Sequence, residues 1–135
     1  GFLKKITPML KKNKQNVLFE LDFSPNKALS FIKKFDSKFF GINYDIGNSA
    51  SKGFDQALEI KLLGRYIKNV HIKDRLLNSA TIRLGKGHAN FDQVFKMLNK
   101  QRYSGFFTLQ TARSKNGQHK KEILTNLRFL SKWFK

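Results

Sequence analysis

Cysteine is absent from this 135-residue sequence, which excludes disulfides and thiolate metal sites at once. Any metal would have to be held by carboxylate, imidazole, amide or water. Proline occurs twice, and acids are scarce: nine Asp and Glu stand against 27 Lys and Arg, for a net charge of +18. No apolar run approaches the roughly 18 residues of a membrane-spanning helix. The apolar residues of the basic stretch 1–12 are too interrupted for a secretory signal. No membrane partner and a cytoplasmic location are therefore expected. An initiator Met is also missing. The chain opens on Gly1 directly into a helical pattern, as a fragment would.

What is present is enough for one core. Hydrophobic residues make up 40% of the chain and include 14 Phe, while the length suits one domain and not two. The positive charge lies mostly on Lys scattered through nearly every segment, beside abundant Asn, Phe and Ile, a composition that an AT-rich genome encodes. Dedicated nucleic-acid binders gather their cations on one face. Nucleic acid is expected as a non-specific partner only.

Four apolar runs of strand length alternate with four segments of helical period. The runs are Val17–Leu21, Phe39–Asp45, Ile67–Ile72 and Gly105–Gln110, each bounded by polar residues or Gly. Between and after them, Ala28, Phe31, Ile32 and Phe35 share one helical face. Leu58, Leu62 and Tyr66 mark a second helix, Phe91, Val94, Phe95 and Leu98 a third, and Ile123, Leu127, Leu130 and Phe134 a fourth. Residues 1–14 read as a further helix ahead of the first strand. This alternation predicts βαβ units and a parallel sheet within one domain, 1–135. A Rossmann-like sheet and part of a (β/α)8 barrel fit it equally.

The polar residues narrow the reading. Glu20, Asp45, His71 and Gln110 each stand at or next to the C-terminal end of a run. In a parallel barrel those ends share the rim on which active sites are built. Four O and N donors converging there would bind a hard divalent cation, Mn²⁺ or Mg²⁺, with Co²⁺ or Zn²⁺ also compatible. Singly, each has a plainer reading as a helix cap, a solvated turn or a core histidine; the pattern over four strands carries the weight. Beside them, Asp45–Ala50 reads as a polar βα loop. Lys73 and Arg75 follow His71, and Arg113 lies three residues past Gln110, placed to meet an anion through a bidentate fork. The Gly-bearing stretch Leu84–Phe91 has the look of a phosphate cradle, although no complete dinucleotide or P-loop pattern is present.

Together, Leu18-Phe19-Glu20, Asn43-Tyr44-Asp45-Ile46-Gly47-Asn48, Val70-His71-Ile72-Lys73-Asp74, Leu84-Gly85-Lys86-Gly87 with Asn90-Phe91, and Tyr103-Ser104-Gly105 leading to Leu109-Gln110 resemble the sugar phosphate isomerase/epimerase family of xylose isomerase-like TIM barrels. The resemblance runs from about residue 16 to 113. It implies the C-terminal half of a (β/α)8 barrel, strands five to eight with their helices, whose missing N-terminal half-barrel would be a partner. It also implies that Glu20, Asp45 and His71 are three of the family's four metal ligands. The fourth falls on Gln110, where the family carries Glu. A glutamine can ligate through its oxygen but cannot take a proton, which leaves Glu20 as the carboxylate base. Asn48 departs from the family as well, since several relatives carry His there.

The expectation is a metal-dependent isomerase or epimerase of a sugar or sugar phosphate, working by proton transfer beside a polarised carbonyl. Asn48, Lys73, Arg75 and Arg113 would bind the substrate. A homo-oligomer is compatible with the open edges of a half-barrel. Two alternatives stand beside it: a DNA repair enzyme like endonuclease IV, poorly served by three histidines and no His-x-His pair, and a non-catalytic half-barrel.

Overall fold

The computed structural model describes residues 2–114 and 116–134. Four strands, β1 (Val17–Phe19), β2 (Phe40–Asp45), β3 (Ile67–Ile72) and β6 (Phe106–Leu109), form one sheet in the order β1-β2-β3-β6. Every pairing is parallel, and the register sets Asp45 beside His71 and His71 beside Thr108. A separate antiparallel hairpin, β4 (Asp74–Arg75) and β5 (Thr81–Ile82), projects between β3 and the next helix. The (β/α) alternation read from the sequence is the observed fold.

Strand alternation divides the sheet into two faces. Ile42, Tyr44, Val70 and Ile72 are buried in the core together with residues of the helices. Those helices are α3 (Pro25–Ile32), α5 (Gln56–Leu63), α6 (Phe91–Lys100) and α7 (His119–Leu130). Their starts are written in the sequence. Pro25 opens α3 where a backbone N–H is not needed. Asp55 accepts from the N–H groups of Ala57 and Leu58 to cap α5, and Asn90 accepts from Gln93 to cap α6. Aromatic clusters close the layer at both ends: Phe19, Phe31, Phe35 and Phe40 near β1, and Phe91, Phe95, Phe129 and Trp133 under α6 and α7. The opposite sheet face carries Asn43, Asp45, Asn69 and His71, and at β6 the ring of Phe106 is 82% exposed.

Several local expectations shift. In place of one helix over 1–14, of which residue 1 lies outside the described residues, there are two short ones, α1 (Phe2–Lys5) and α2 (Thr7–Lys12), broken at Ile6 ahead of Pro8, because proline removes a backbone donor. A short helix, α4 (Ile46–Lys52), replaces the loop expected after Asp45. The buried face of α5 is Gln56, Glu59, Ile60 and Leu63; of the expected stripe, Leu58 is exposed, Leu62 packs partly buried against the core and Tyr66 is buried just past the helix. On α7 the core side is Asn126 and Leu130 with Phe129, while Ile123 and Leu127 face out.

Candidate metal centre

Each acidic or basic group of the site is delivered by a strand end. Glu20 follows β1 directly, Asp45 ends β2, and His71 stands one residue before the end of β3. Parallel pairing brings these ends to one rim. His71 Nδ1 lies 3.3 Å from Glu20 Oε2 and 3.7 Å from Asp45 Oδ2. One ligand atom from each of Glu20, Asp45 and His71 lies within 4.8 Å of the others.

The three side chains are held differently. Asp45 is buried to 1% exposure and divides its carboxylate between two tasks. Oδ1 caps α4 by accepting from the Asn48 N–H at 2.7 Å, which leaves Oδ2 turned to His71 and to Lys73 Nζ at 3.4 Å. Glu20 is 41% exposed and is reached from two sides, by Asn43 Nδ2 at 2.8 Å and Asn48 Nδ2 at 2.9 Å. Two hard carboxylates and one imidazole suit a divalent cation of the Mg²⁺ to Zn²⁺ range, so the residues present fit the ion that the sequence implied.

Asn48, Lys73 and Arg75 join this group. Asn48 Oδ1 accepts from Arg75 Nη1 at 2.8 Å and from Lys73 Nζ at 3.4 Å, and Arg75 is steadied by the Ser79 carbonyl at 2.7 and 2.9 Å. Gln110 stands at the same rim, since its backbone N–H donates to the Ile72 carbonyl at 3.0 Å. Its side chain is exposed and makes no hydrogen bond among the described residues. Arg113 lies outside the group. It lines a separate open cavity of about 610 Å³ with Arg83, Ser114 and Lys121.

The Gly loop holds an anion, but that anion is the protein's own. Asp74 is fully buried. Its Oδ2 accepts from the N–H groups of Gly85 and Gly87, both at 2.9 Å, and its Oδ1 from Ala89 at 3.1 Å. A Cβ at Gly87 would collide with that carboxylate. His88 turns away to accept from the Leu77 N–H at 3.1 Å, and His119 starts α7. Of the three histidines, His71 alone joins the acids.

The sequence reading missed two arrangements. One is Asn43, two residues before Asp45, where strand alternation makes it share the ligand face. The other lies behind the site. Buried Glu59 accepts from Tyr44 Oη at 3.0 Å and from the Ser49 hydroxyl. Burial pushes the Glu59 carboxyl above its ordinary range, and burial with the Glu59 charge raises the Tyr44 phenol. No pattern on α5 pointed to Glu59, because a carboxylate on a helix ordinarily reads as a solvated face.

A parallel sheet with its polar donors gathered at the C-terminal strand ends is an α/β architecture with its site at those ends. The chain belongs to the xylose isomerase-like TIM barrel family, whose model matches residues 3–133. It is 29% identical over 116 residues to an uncharacterised protein of Methanocaldococcus jannaschii, covering 84% of this chain and 40% of that one. Its fold is similar to a xylose isomerase domain protein from Planctomyces limnophilus at TM-score 0.84 and 22% identity, over 97% of this chain and 51% of that one. The corresponding values for a D-tagatose 3-epimerase-like protein are 0.72, 24%, 96% and 53%. For a zinc-bound IolI protein they are 0.77, 15%, 98% and 55%. At these identities the structures establish the fold alone. The chain spans about half the length of each of these structures and less of the archaeal relative.

Proposed function

We propose that this chain supplies the metal site and the catalytic base of a sugar or sugar-phosphate isomerase or epimerase, within a barrel completed by four further βα units. The observation that carries the reading is the convergence of Glu20, Asp45 and His71 from three adjacent strands. Glu20, Asp45 and His71 would hold the ion, with Gln110 adding a neutral oxygen from the next strand end. A divalent ion held there, Mn²⁺ or Mg²⁺ first and Co²⁺ or Zn²⁺ also, supplies Lewis-acid polarisation of a carbonyl oxygen.

The remaining chemistry belongs to the side chains. Glu20 is the exposed carboxylate of the group, so a substrate can reach it. It takes the proton from the carbon next to the carbonyl, and the C–H electron pair moves into an enediolate. Returned to the former carbonyl carbon, with the hydroxyl proton passing between the two oxygens, that proton completes an isomerisation; an epimerisation would need a second acid, supplied by the rest of the barrel, to protonate the original carbon from its opposite face. Asp45, buried and tied down as the cap of α4, serves as a ligand. Asn48, Lys73 and Arg75 face substrate hydroxyls or a phosphate, while Arg113, in its separate cavity, takes no part in this group.

The names of the similar structures support sugar chemistry, and the donor set supports the ion. The test is made on the complete barrel. Glu20→Gln should abolish exchange of a substrate α-proton with solvent deuterium while Mn²⁺ stays bound. Asp45→Asn should weaken Mn²⁺ binding, with activity returning as metal is raised. A complete barrel that binds no divalent metal would be a non-catalytic one, and the proposal would fall.

A further inference from the structure

The polar contacts at the rim continue one pleat deeper. Asn43 precedes Asp45 by two residues, Asn69 precedes His71 by two, and Thr108 precedes Gln110 by two. Strand alternation therefore sets all three beneath the ligands on one face. Thr108 Oγ1 donates to Asn69 Oδ1 at 3.1 Å, and Asn69 Nδ2 donates to Asn43 Oδ1 at 2.7 Å. Asn43 Nδ2 then donates to Glu20 Oε2 at 2.8 Å and lies 3.1 Å from each ring nitrogen of His71.

The direction of this row is fixed by chemistry. An amide oxygen only accepts and an amide nitrogen only donates. The carboxylate of Glu20 only accepts, so Asn43 must turn its NH₂ to Glu20 and His71 and its oxygen to β3. That oxygen takes the NH₂ of Asn69, so the Asn69 oxygen faces β6, where the Thr108 hydroxyl, able to donate or accept, donates to it. Turning over either amide alone would set NH₂ against NH₂ or oxygen against oxygen. Asn43 is buried to 8% exposure, so both ends of its amide have to find partners within the protein. The interior of such barrels is ordinarily filled by Val, Ile and Leu. An amide row at this level therefore serves orientation better than it serves the core.

We propose that Thr108, Asn69 and Asn43 form a one-way positioning relay that sets the spacing and rotation of Glu20 and His71 for metal. Asn43 contacts both ligands, and the other two hold it in the orientation that the Glu20 carboxylate sets. The proposal rests on the metal-site reading above, and its test separates the two. Mn²⁺ affinity of the complete barrel is measured by titration, and the His71 ring signals of the metal-free protein by ¹H–¹⁵N NMR. Asn43→Leu should weaken Mn²⁺ binding about 10–100-fold, the range for groups that orient ligands. Thr108→Val removes only the hydroxyl at the far end of the row. It should weaken Mn²⁺ binding and shift the His71 signals, while Thr108→Ser should restore both.

Wild-type affinity and unchanged ring signals in Thr108→Val would overturn the relay, whether or not Asn43→Leu folds. If the wild-type protein binds no Mn²⁺, the metal reading fails and the NMR arm still decides. His71 signals that move in Thr108→Val and return in Thr108→Ser uphold the relay; signals that do not move overturn it.

Discussion

Asp74→Asn tests the account of the Gly loop, because it changes one atom's chemistry and almost no volume. Asp74 gives three backbone N–H groups an acceptor, using Oδ2 for Gly85 and Gly87 and Oδ1 for Ala89. An asparagine has one oxygen. In its better orientation that oxygen keeps Gly85 and Gly87, and the amide NH₂ then faces the Ala89 N–H. One hydrogen bond to a charged acceptor is lost, worth about 1.5–3 kcal/mol, and a donor is left without a partner at a cost of about 1–3 kcal/mol. The two overlap, so a loss of about 2–4 kcal/mol is expected.

Urea denaturation followed by circular dichroism reads this as a lower midpoint at unchanged slope. Gly87→Ala should be damaging as well, since its Cβ would meet the same carboxylate. If the loop were instead a phosphate cradle, millimolar phosphate would stabilise the wild-type protein well beyond what equal ionic strength does. A loss below about 0.5 kcal/mol in Asp74→Asn, the range of ordinary surface changes, together with such a phosphate effect, would refute the reasoning.

Three further outcomes follow from the same contacts. Burial holds the Glu59 carboxyl above its ordinary value of 4.5, so the native state keeps a proton that the unfolded chain has released. Stability should therefore fall as pH rises from that value to the raised native one, by at most about 1.4 kcal/mol per pH unit. Glu59→Gln, which keeps an acceptor for Ser49 and Tyr44, should flatten that fall in urea melts run across the range. Ile60→Ala, at a fully buried position, should cost about 2–5 kcal/mol by the cavity it leaves, read as a lower urea midpoint. The +18 charge should give weak, sequence-independent DNA binding that collapses between about 50 and 200 mM salt; fluorescence anisotropy that is insensitive to salt would contradict this.

The sequence carried the sheet because a parallel strand buried on its helix face needs apolar residues at every second position, and Ile42 and Tyr44 in β2 and Val70 and Ile72 in β3 supply them. It carried the triad because a residue at the end of such a run has its position set by the strand, whatever the loop does next. Helix faces were less legible. On α5 the buried side includes Gln56 and Glu59, whose polarity hides it, and Gln56 is needed there because it bonds the Ile46 carbonyl and the Asn90 N–H. On α7 the residue at the core is Asn126, which accepts from the Leu84 N–H, while apolar Ile123 and Leu127 face outward. The Gly loop misled for a related reason: a ring of N–H groups asks for an anion, and sequence alone does not say whether the anion is a ligand or Asp74.

The scarcity of acids makes Glu20 informative. Of the nine Asp and Glu in this basic chain, Asp22 makes no side-chain hydrogen bond among the described residues, and each of the others can be asked what it does for the fold. Asp45 and Asp55 cap helices, and Asp74 closes the Gly loop. Asp36 receives the Lys38 N–H, Asp92 receives the Trp133 indole, and Glu122 takes a bidentate grip from Arg83. Glu59 anchors Tyr44 and Ser49. Glu20 caps no helix, closes no loop and neutralises no structural arginine. Its partners are Asn43, Asn48 and His71, all gathered at the rim. For the fold alone, Glu20 could be Gln at small cost: its one oxygen keeps one asparagine and its NH₂ meets the other, but the side chain is 41% exposed and water can take up the freed donor. That near-isosteric change should therefore leave the urea midpoint almost unmoved while removing proton transfer. The separation of those two effects is what distinguishes a residue kept for chemistry from one kept for structure.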